Sequence, residues 1–360
     1  MRVAEAKAPK LSIIMPVYNV DRYLTRAIES LQAQSFNDYE LLIVDDGSTD
    51  RSGRIADHAA EFDFRIEVIH QENAGAAAAR NTALDRARGT YVYFMDADDW
   101  AEPEMLGDMV EAMERNDLEL FICPFYIETV VDDEGIDYLT ELKAVEPAIY
   151  LNAQSFRLDA WRLFDQNLLY TPWNKLFLRS RIEELGIRFR NTFMDDFPFV
   201  LDYIRDVERV GVGDRPYYHF TRAREESETT KWRPDLYAKR EEEHGWMLDL
   251  YGYWGLSEDS DSMEMVHRRY IERLVGCIES VCSPQCTLSP EEKRQAIAEM
   301  ITSARAQESV AIARPRSQFM KLMLMPIRRQ DVGLAYSEGK FISFVRSKSS
   351  KLFANLKANR

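Results

Sequence analysis

The sequence has few cysteines, no long apolar run, and no glycine-rich loop after its first strand-like segment. Its four thiols are Cys123, Cys277, Cys282 and Cys286 among 360 residues. The last three lack a fourth ligand in register for zinc, so all four read as reduced thiols. Residues 1–10 are polar and lack the apolar core of an export signal, and a cytoplasmic location is expected. No segment is apolar and uncharged for long enough to span a bilayer. The first apolar run leads into Pro16-Val17-Tyr18-Asn19, not the GxGxxG of a dinucleotide fold, and no GxxxxGK[ST] phosphate loop occurs. Internal repeats, heptads and low-complexity blocks are also missing.

Acidic residues dominate what is present. The formal charge of −15 argues against nonspecific nucleic-acid binding by the body of the chain. From Arg314 to Arg360, eleven Lys and Arg face only Asp331 and Glu338, a local charge of +9 that leaves −24 for residues 1–313. Such asymmetry gives the basic end a separate role. The apolar fraction, 46%, supports a large folded core.

Apolar periodicity predicts strands at 11–15, 39–44, 66–70, 91–95 and 118–123. Helices are expected between them: one capped by Asp21 with Leu24, Ala27, Ile28 and Leu31 on one face, then 51–61, 76–88 and 103–114. Strand–helix alternation of this kind implies an α/β fold, a mostly parallel central sheet flanked by helices. Further on, 155–166, 175–185 and 197–204 read as helical and 207–212 as a strand. Residues 132–147 read as a polar excursion, and the segment from Tyr217 as leaving the sheet. A helical C-terminal extension follows over roughly 237–253, 263–281 and 290–308, with tail segments at 317–324 and 339–356. The expected divisions are a catalytic unit at 1–235, a helical extension at 236–312 and a basic amphipathic tail at 313–360.

Ligands of open α/β sheets bind at the carboxyl ends of the strands. The polar residues gather there: Pro16 to Asn19, Asp45 to Asp50, and Asp96, Asp98 and Asp99 in MDADDW. Three carboxylates this close repel, and a divalent cation offsets the repulsion while attracting an anionic ligand. Hard oxygen ligands suit Mg2+ or Mn2+, which also hold diphosphates. A solvated acidic turn is the bland alternative. Tyr18 can stack on a base or belong to the core. Asp45 and Asp46 can accept hydrogen bonds from a base or ribose, and Asp46 can instead cap its own turn. Arg80 can reach carboxylates or phosphate, or form a structural ion pair. A second pair, Asp195–Asp196, precedes a helical segment whose free N–H groups favour negative charge.

Residues 11–100 resemble the nucleotide-binding half of bacterial family 2 glycosyltransferases with the GT-A fold, of the capsular and exopolysaccharide type. The matching pieces are LSIIMPVYN, YLTRAIESLQAQ, YELLIVDDGSTD, NAGAAAARNTALDRARGTY and FMDADDW. The resemblance implies an inverting transfer from a nucleotide diphosphate sugar, UDP-linked by preference, to a glycan or lipid-linked acceptor. It places Tyr18 and Asp46 at the base, with Asp45 beside them and Pro16 shaping the loop. Arg80 falls near the donor, Asp96 toward the ribose and metal, Asp98 on the metal, and Asp99 beside donor sugar or metal water. On the acceptor side it makes Asp196 the base and Asp195, where the family has Glu, an orienting neighbour; Trp173 and Lys175 fall near the acceptor or the inner wall. Two other classes compete: a binding protein of this fold without turnover, and a nucleotidyltransferase, which would need a basic Gly-rich loop. The tail, with Phe341, Phe344 and Phe353 among Arg346, Lys348 and Lys351, reads as an interfacial anchor for an anionic membrane, so a peripheral position on the inner membrane face is expected. Packing on the protein or a partner is the alternative, and a homo-oligomer is compatible with the sequence.

Overall fold

The structure is a computed structural model that describes residues 8–130, 138–192, 194–222 and 232–348. The chain divides into two compact units, Met1–Val130 with Tyr138–Arg222, and Val131–Asp137 with Ala223–Arg360.

The first unit opens with the alternation that the apolar periods predict. Its elements begin β1 (Leu11–Val17), α1 (Leu24–Gln32), β2 (Tyr39–Asp45), α2 (Ser52–Phe62), β3 (Ile66–His70), α3 (Ala76–Leu84) and β4 (Tyr91–Phe94). There follow β5 (Trp100–Ala101), α4 (Met105–Arg115), β6 (Leu120–Ile122), β7 (Phe125–Val130), β8 (Tyr138–Lys143), β9 (Ala148–Tyr150) and α5 (Ala153–Asp165). The unit ends with β10 (Lys175–Leu178), α6 (Arg179–Glu184), α7 (Asp196–Ile204), β11 (Val210–Val212) and β12 (Tyr218–Arg222). Eight strands form one sheet in the order β3-β2-β1-β4-β10-β6-β11-β9, and four form a second, β5-β12-β7-β8. The first four strands of the large sheet run parallel. β1 and β2 are almost wholly buried, as continuous apolar strands covered on both faces should be.

Three local expectations change. Asp21 does not cap α1: the residue at that position is Tyr23, with no side-chain cap. Asp21 instead pairs with Arg51 at 3.0 Å. Residues 175–178 are a strand, antiparallel to both β4 and β6, and the helix is confined to α6. A four-residue segment with three apolar residues has no period long enough to separate the two states, and the slot between β4 and β6 decides. The supposed excursion after residue 131 and the segment from Tyr217 are instead β8 and β12, partners of β7 in the small sheet. Gly89 marks a close approach, because a Cβ there would lie 2.5 Å from the Ser12 nitrogen.

The second unit is helical: α8 (Leu236–Tyr253), α9 (Ser260–Cys282), α10 (Pro290–Thr302), α11 (Ala304–Ile312), α12 (Gln318–Arg329) and α13 (Val332–Lys348). The expected helix at 290–308 is two helices. Ser303, extended at ψ 144°, ends α10 and caps α11 by accepting from the Ala306 N–H. Within residues 313–348, α12 and α13 pack into the helical unit. Met320, Met323, Leu324, Ile327, Ala335, Tyr336 and Ile342 enter the same core as Ile271, Leu274 and Ile278 of α9. Among the described residues, no helix is long and apolar enough to cross a membrane.

Candidate active site

Sheet register aligns the strand ends. Val17 lies opposite Asp45 and Asp45 opposite His70, while β4 runs beside β1 and delivers residues 95–99 at the same end. Tyr18, just past β1, is 49% exposed and open to stacking; Pro16 lies within β1. Asp45 and Asp46 are both buried. Asp45 Oδ1 accepts from the Ser48 N–H at 3.0 Å, and its Oδ2 lies 2.8 Å from His70 Nδ1. His70 is raised in pKa by its bonds to Asp57 and Asp45. Asp46 Oδ1 accepts from Gln71 Nε2 at 2.6 Å and the Ala74 N–H at 3.0 Å, and Oδ2 from the Gly75 N–H at 2.8 Å. Both its oxygens therefore fasten the turn ahead of α3, and it is Asp45 that caps the local loop.

Asp96, Asp98 and Asp99 come together, with one oxygen of each within 4.8 Å of the others. Their environments differ. Asp99 is fully buried, Oδ2 accepting from Tyr218 Oη at 2.5 Å and Oδ1 from the Thr221 N–H at 2.7 Å. Tyr218 Oη also accepts from the Asp96 N–H at 3.3 Å. Asp99 thus bolts the acidic turn to β12, and burial, then Asp98 and Asp96, hold its carboxyl well above the usual range. Asp98 makes no ion pair among the described residues; burial and then Asp96 push it up to about 6. The pull of Arg26 and Arg80 does not offset that crowding, and a divalent ion would neutralise it. Asp98 and Asp96 fit such an ion, whereas the oxygens of Asp99 are already engaged.

The second carboxylate pair sits at the start of α7. Met194, at φ +58°, turns the chain into that helix through a conformation that costs a non-glycine residue roughly 1 kcal/mol. Phe197, Phe199, Val200, Leu201, Tyr203 and Ile204 are buried around the helix, fixing it as an all-round apolar element must be. Phe199 stacks on Phe189 with centroids 4.1 Å apart and meets Phe94 and Phe177 edge-on. That rigid cluster aims Asp195 and Asp196 at Arg80 of α3. Arg80 Nη1 donates to Asp195 Oδ2 at 3.0 Å and lies 3.1 Å from Asp196 Oδ1, while Nη2 donates to Asp96 Oδ1 at 2.9 Å. Burial raises Asp196 to about 7 against the opposing pull of Arg80, with Asp195 and Asp96 adding to the rise.

Lys175 and Trp173 belong to the wall. Lys175 is fully buried, and its Nζ donates to Leu168 O, Thr171 O and Asn174 Oδ1. Burial lowers its pKa to about 7. Yet three acceptors around one nitrogen match the three donors of an ammonium, and that form is the one the geometry stabilises. Trp173, 4% exposed, stacks on Tyr218 at 4.6 Å and Phe220 at 5.4 Å. The roles of Tyr218, Thr221 and Phe189 have no sequence signal. Tyr218 lies 119 residues from Asp99, and only the pairing of β12 brings it there.

The model for "Glycosyl transferase family 2" matches residues 12–186. The chain is 31% identical over 251 residues to the uncharacterized glycosyltransferase EpsJ of Bacillus subtilis (strain 168), covering 69% of this chain and 72% of that protein. It is 35% identical over 185 residues to the putative glycosyltransferase EpsH of the same organism, which is 51% of each. Among solved structures, S. aureus TarS 1–349 in complex with UDP-GlcNAc superposes with a TM-score of 0.64 at 20% identity, over 95% of this chain and 93% of that one. At that identity the likeness concerns the fold, and the fold is the GT-A type that the family resemblance implies.

Proposed function

We propose that this chain, which belongs to glycosyl transferase family 2 and is a glycosyltransferase, moves a sugar from a nucleotide diphosphate donor to a hydroxyl of a glycan or lipid-linked glycan with inversion. The observation that carries this reading is a second, partly buried carboxylate pair, Asp195–Asp196, held beside the acidic turn yet separate from it. One group serves departure of the diphosphate and the other serves the incoming hydroxyl. A uridine donor is favoured, and the UDP-GlcNAc bound by the structurally similar TarS supports it.

Tyr18 stacks on the base in this scheme. Asp98 and Asp96 would hold Mn2+ or Mg2+, which would neutralise the charge of the departing diphosphate. Asp196 accepts the proton of the acceptor hydroxyl as its oxygen bonds to the anomeric carbon, and the bond to the diphosphate oxygen breaks on the opposite face. A value near 7 suits a base working at neutral pH. Lys175 and Trp173 shape the wall behind it. Screening nucleotide sugars for hydrolysis should give turnover with a uridine donor that disappears with EDTA. Tight nucleotide binding without turnover of any donor, with the true acceptor supplied, would favour the binding-only alternative.

An anionic membrane surface is the second partner in this reading. On α13, Phe341 and Phe344 are 60% and 59% exposed beside exposed Lys340, and Leu322 of α12 is half-exposed next to Lys321. Ile342 and Val345 are buried, so only the face of that helix that carries Phe341 and Phe344 is available to lipid. Lys351 and Phe353 lie outside the described residues, as do the side chains of Arg346 and Lys348. Because deleting residues 339–360 would also strip Ile342 from the core, the test is Phe341→Ser with Phe344→Ser. This variant should cosediment less with anionic vesicles at an unchanged melting temperature. Equal cosedimentation would remove the membrane from the proposal.

A further inference from the structure

Arg80 is shared between two groups that the transfer scheme treats as separate. Its guanidinium touches Asp96 of the acidic turn and both Asp195 and Asp196 of the second pair. The side chain is 6% exposed and its Cζ lies 5.2 Å from the Phe189 ring centroid, so water cannot readily take its place. Arg80 Nε and Asp196 Oδ1 are buried without hydrogen bonds. One cation therefore faces three carboxylates in contact and satisfies none of them alone. Inside a protein such charges interact strongly, and what one partner gives up another receives.

We propose that Arg80 is a positioning residue that links loading of the donor-side carboxylates to the setting of the acceptor base. A cation that draws on Asp96 frees part of Arg80 for Asp195 and Asp196, and a change at Asp196 is felt at Asp96. Linkage makes the two effects reciprocal. Among the described residues the charged groups around Asp196 are Arg80, Asp195, Asp96 and Lys175, and of these only Arg80 contacts both sides. This inference rests on the reading of Asp98 and Asp96 as cation ligands and Asp196 as base.

The test is a titration with Mn2+ alone, following the resonance of the free ion, on wild type, Arg80→Gln, Asp196→Asn and the double variant. Arg80→Gln releases Asp96 and removes a repelling charge, so Mn2+ affinity should rise by roughly fivefold or more. Asp196→Asn should weaken Mn2+ by tightening Arg80 on Asp96, and most of that loss should vanish in the Arg80→Gln background. Arg80→Lys keeps the charge without the forked geometry and should change Mn2+ affinity in the same direction by less; it also serves if Arg80→Gln folds poorly by its melting curve. Unchanged Mn2+ affinity in both Arg80 variants, or additive effects in the double variant, would overturn the coupling. No Mn2+ binding by wild type, or equal binding by Asp98→Asn, would instead sink the reading of the site beneath it.

Discussion

Asp196→Asn should lower turnover on the true acceptor by ~100-fold or more while leaving uridine diphosphate affinity at saturating Mn2+ nearly unchanged. The carboxylate is poised at the N-terminus of α7, raised to about 7, and lies outside the acidic turn. As a base it must be ionised, so wild-type activity should climb through about pH 7, and the residual activity of the variant should lack that limb. The stability effect has the opposite sign. The folded value lies above the ordinary 3.8, so ionising Asp196 costs stability progressively as pH rises from about 4 to about 7. Asn carries no such cost, and the variant should melt no lower than wild type at pH 8. Near-normal turnover would reject the base assignment, and a large loss of nucleotide affinity would reassign Asp196 to holding the donor side.

Asp98→Asn should act on binding. Altering even an outer partner of a metal ligand typically costs ~10–100-fold in metal affinity, and removing a charged ligand should cost no less. Calorimetric titration with uridine diphosphate should show at least that loss in the presence of Mn2+ and little difference without it. The contrast with Asp99 is informative. Asp99 already accepts from Tyr218 and Thr221, so its replacement should unfasten β12 and reduce thermal stability before it alters a ligand set. Matching affinities for wild type and Asp98→Asn in both conditions would take Asp98 off the metal.

Local pattern made part of this protein legible. Leu24, Ala27, Ile28 and Leu31 recur at helical spacing and form the buried face of α1. The unbroken apolar runs of β1 and β2 announce strands buried on both sides. Such signals lie within one element, so they survive without knowledge of neighbours. The strand residues 175–178, the helix break at Ser303 and the small sheet were not legible in this way. The strand and the small sheet depend on partners that arrive from elsewhere in the chain, whereas Ser303 caps the Ala306 N–H three residues on, and the bonds Arg80 makes span 16 residues to Asp96 and 115 to Asp195.

The sequence by itself determined the strand–helix alternation of the nucleotide-binding half, the clustering of Asp96, Asp98 and Asp99, and the presence of a second acidic pair before a helix. It could do so because residues adjacent in sequence share a turn whatever surrounds it. Only the tertiary structure separated Asp98, without an ion pair among the described residues, from Asp99, bolted to β12, and turned Asp46 from an open acceptor into a fastener of the loop before α3. It alone buried Lys175 among carbonyls and joined the two acidic groups through Arg80. A carboxylate's role depends on which donors reach its oxygens, and those donors come from strands and helices that only folding brings together.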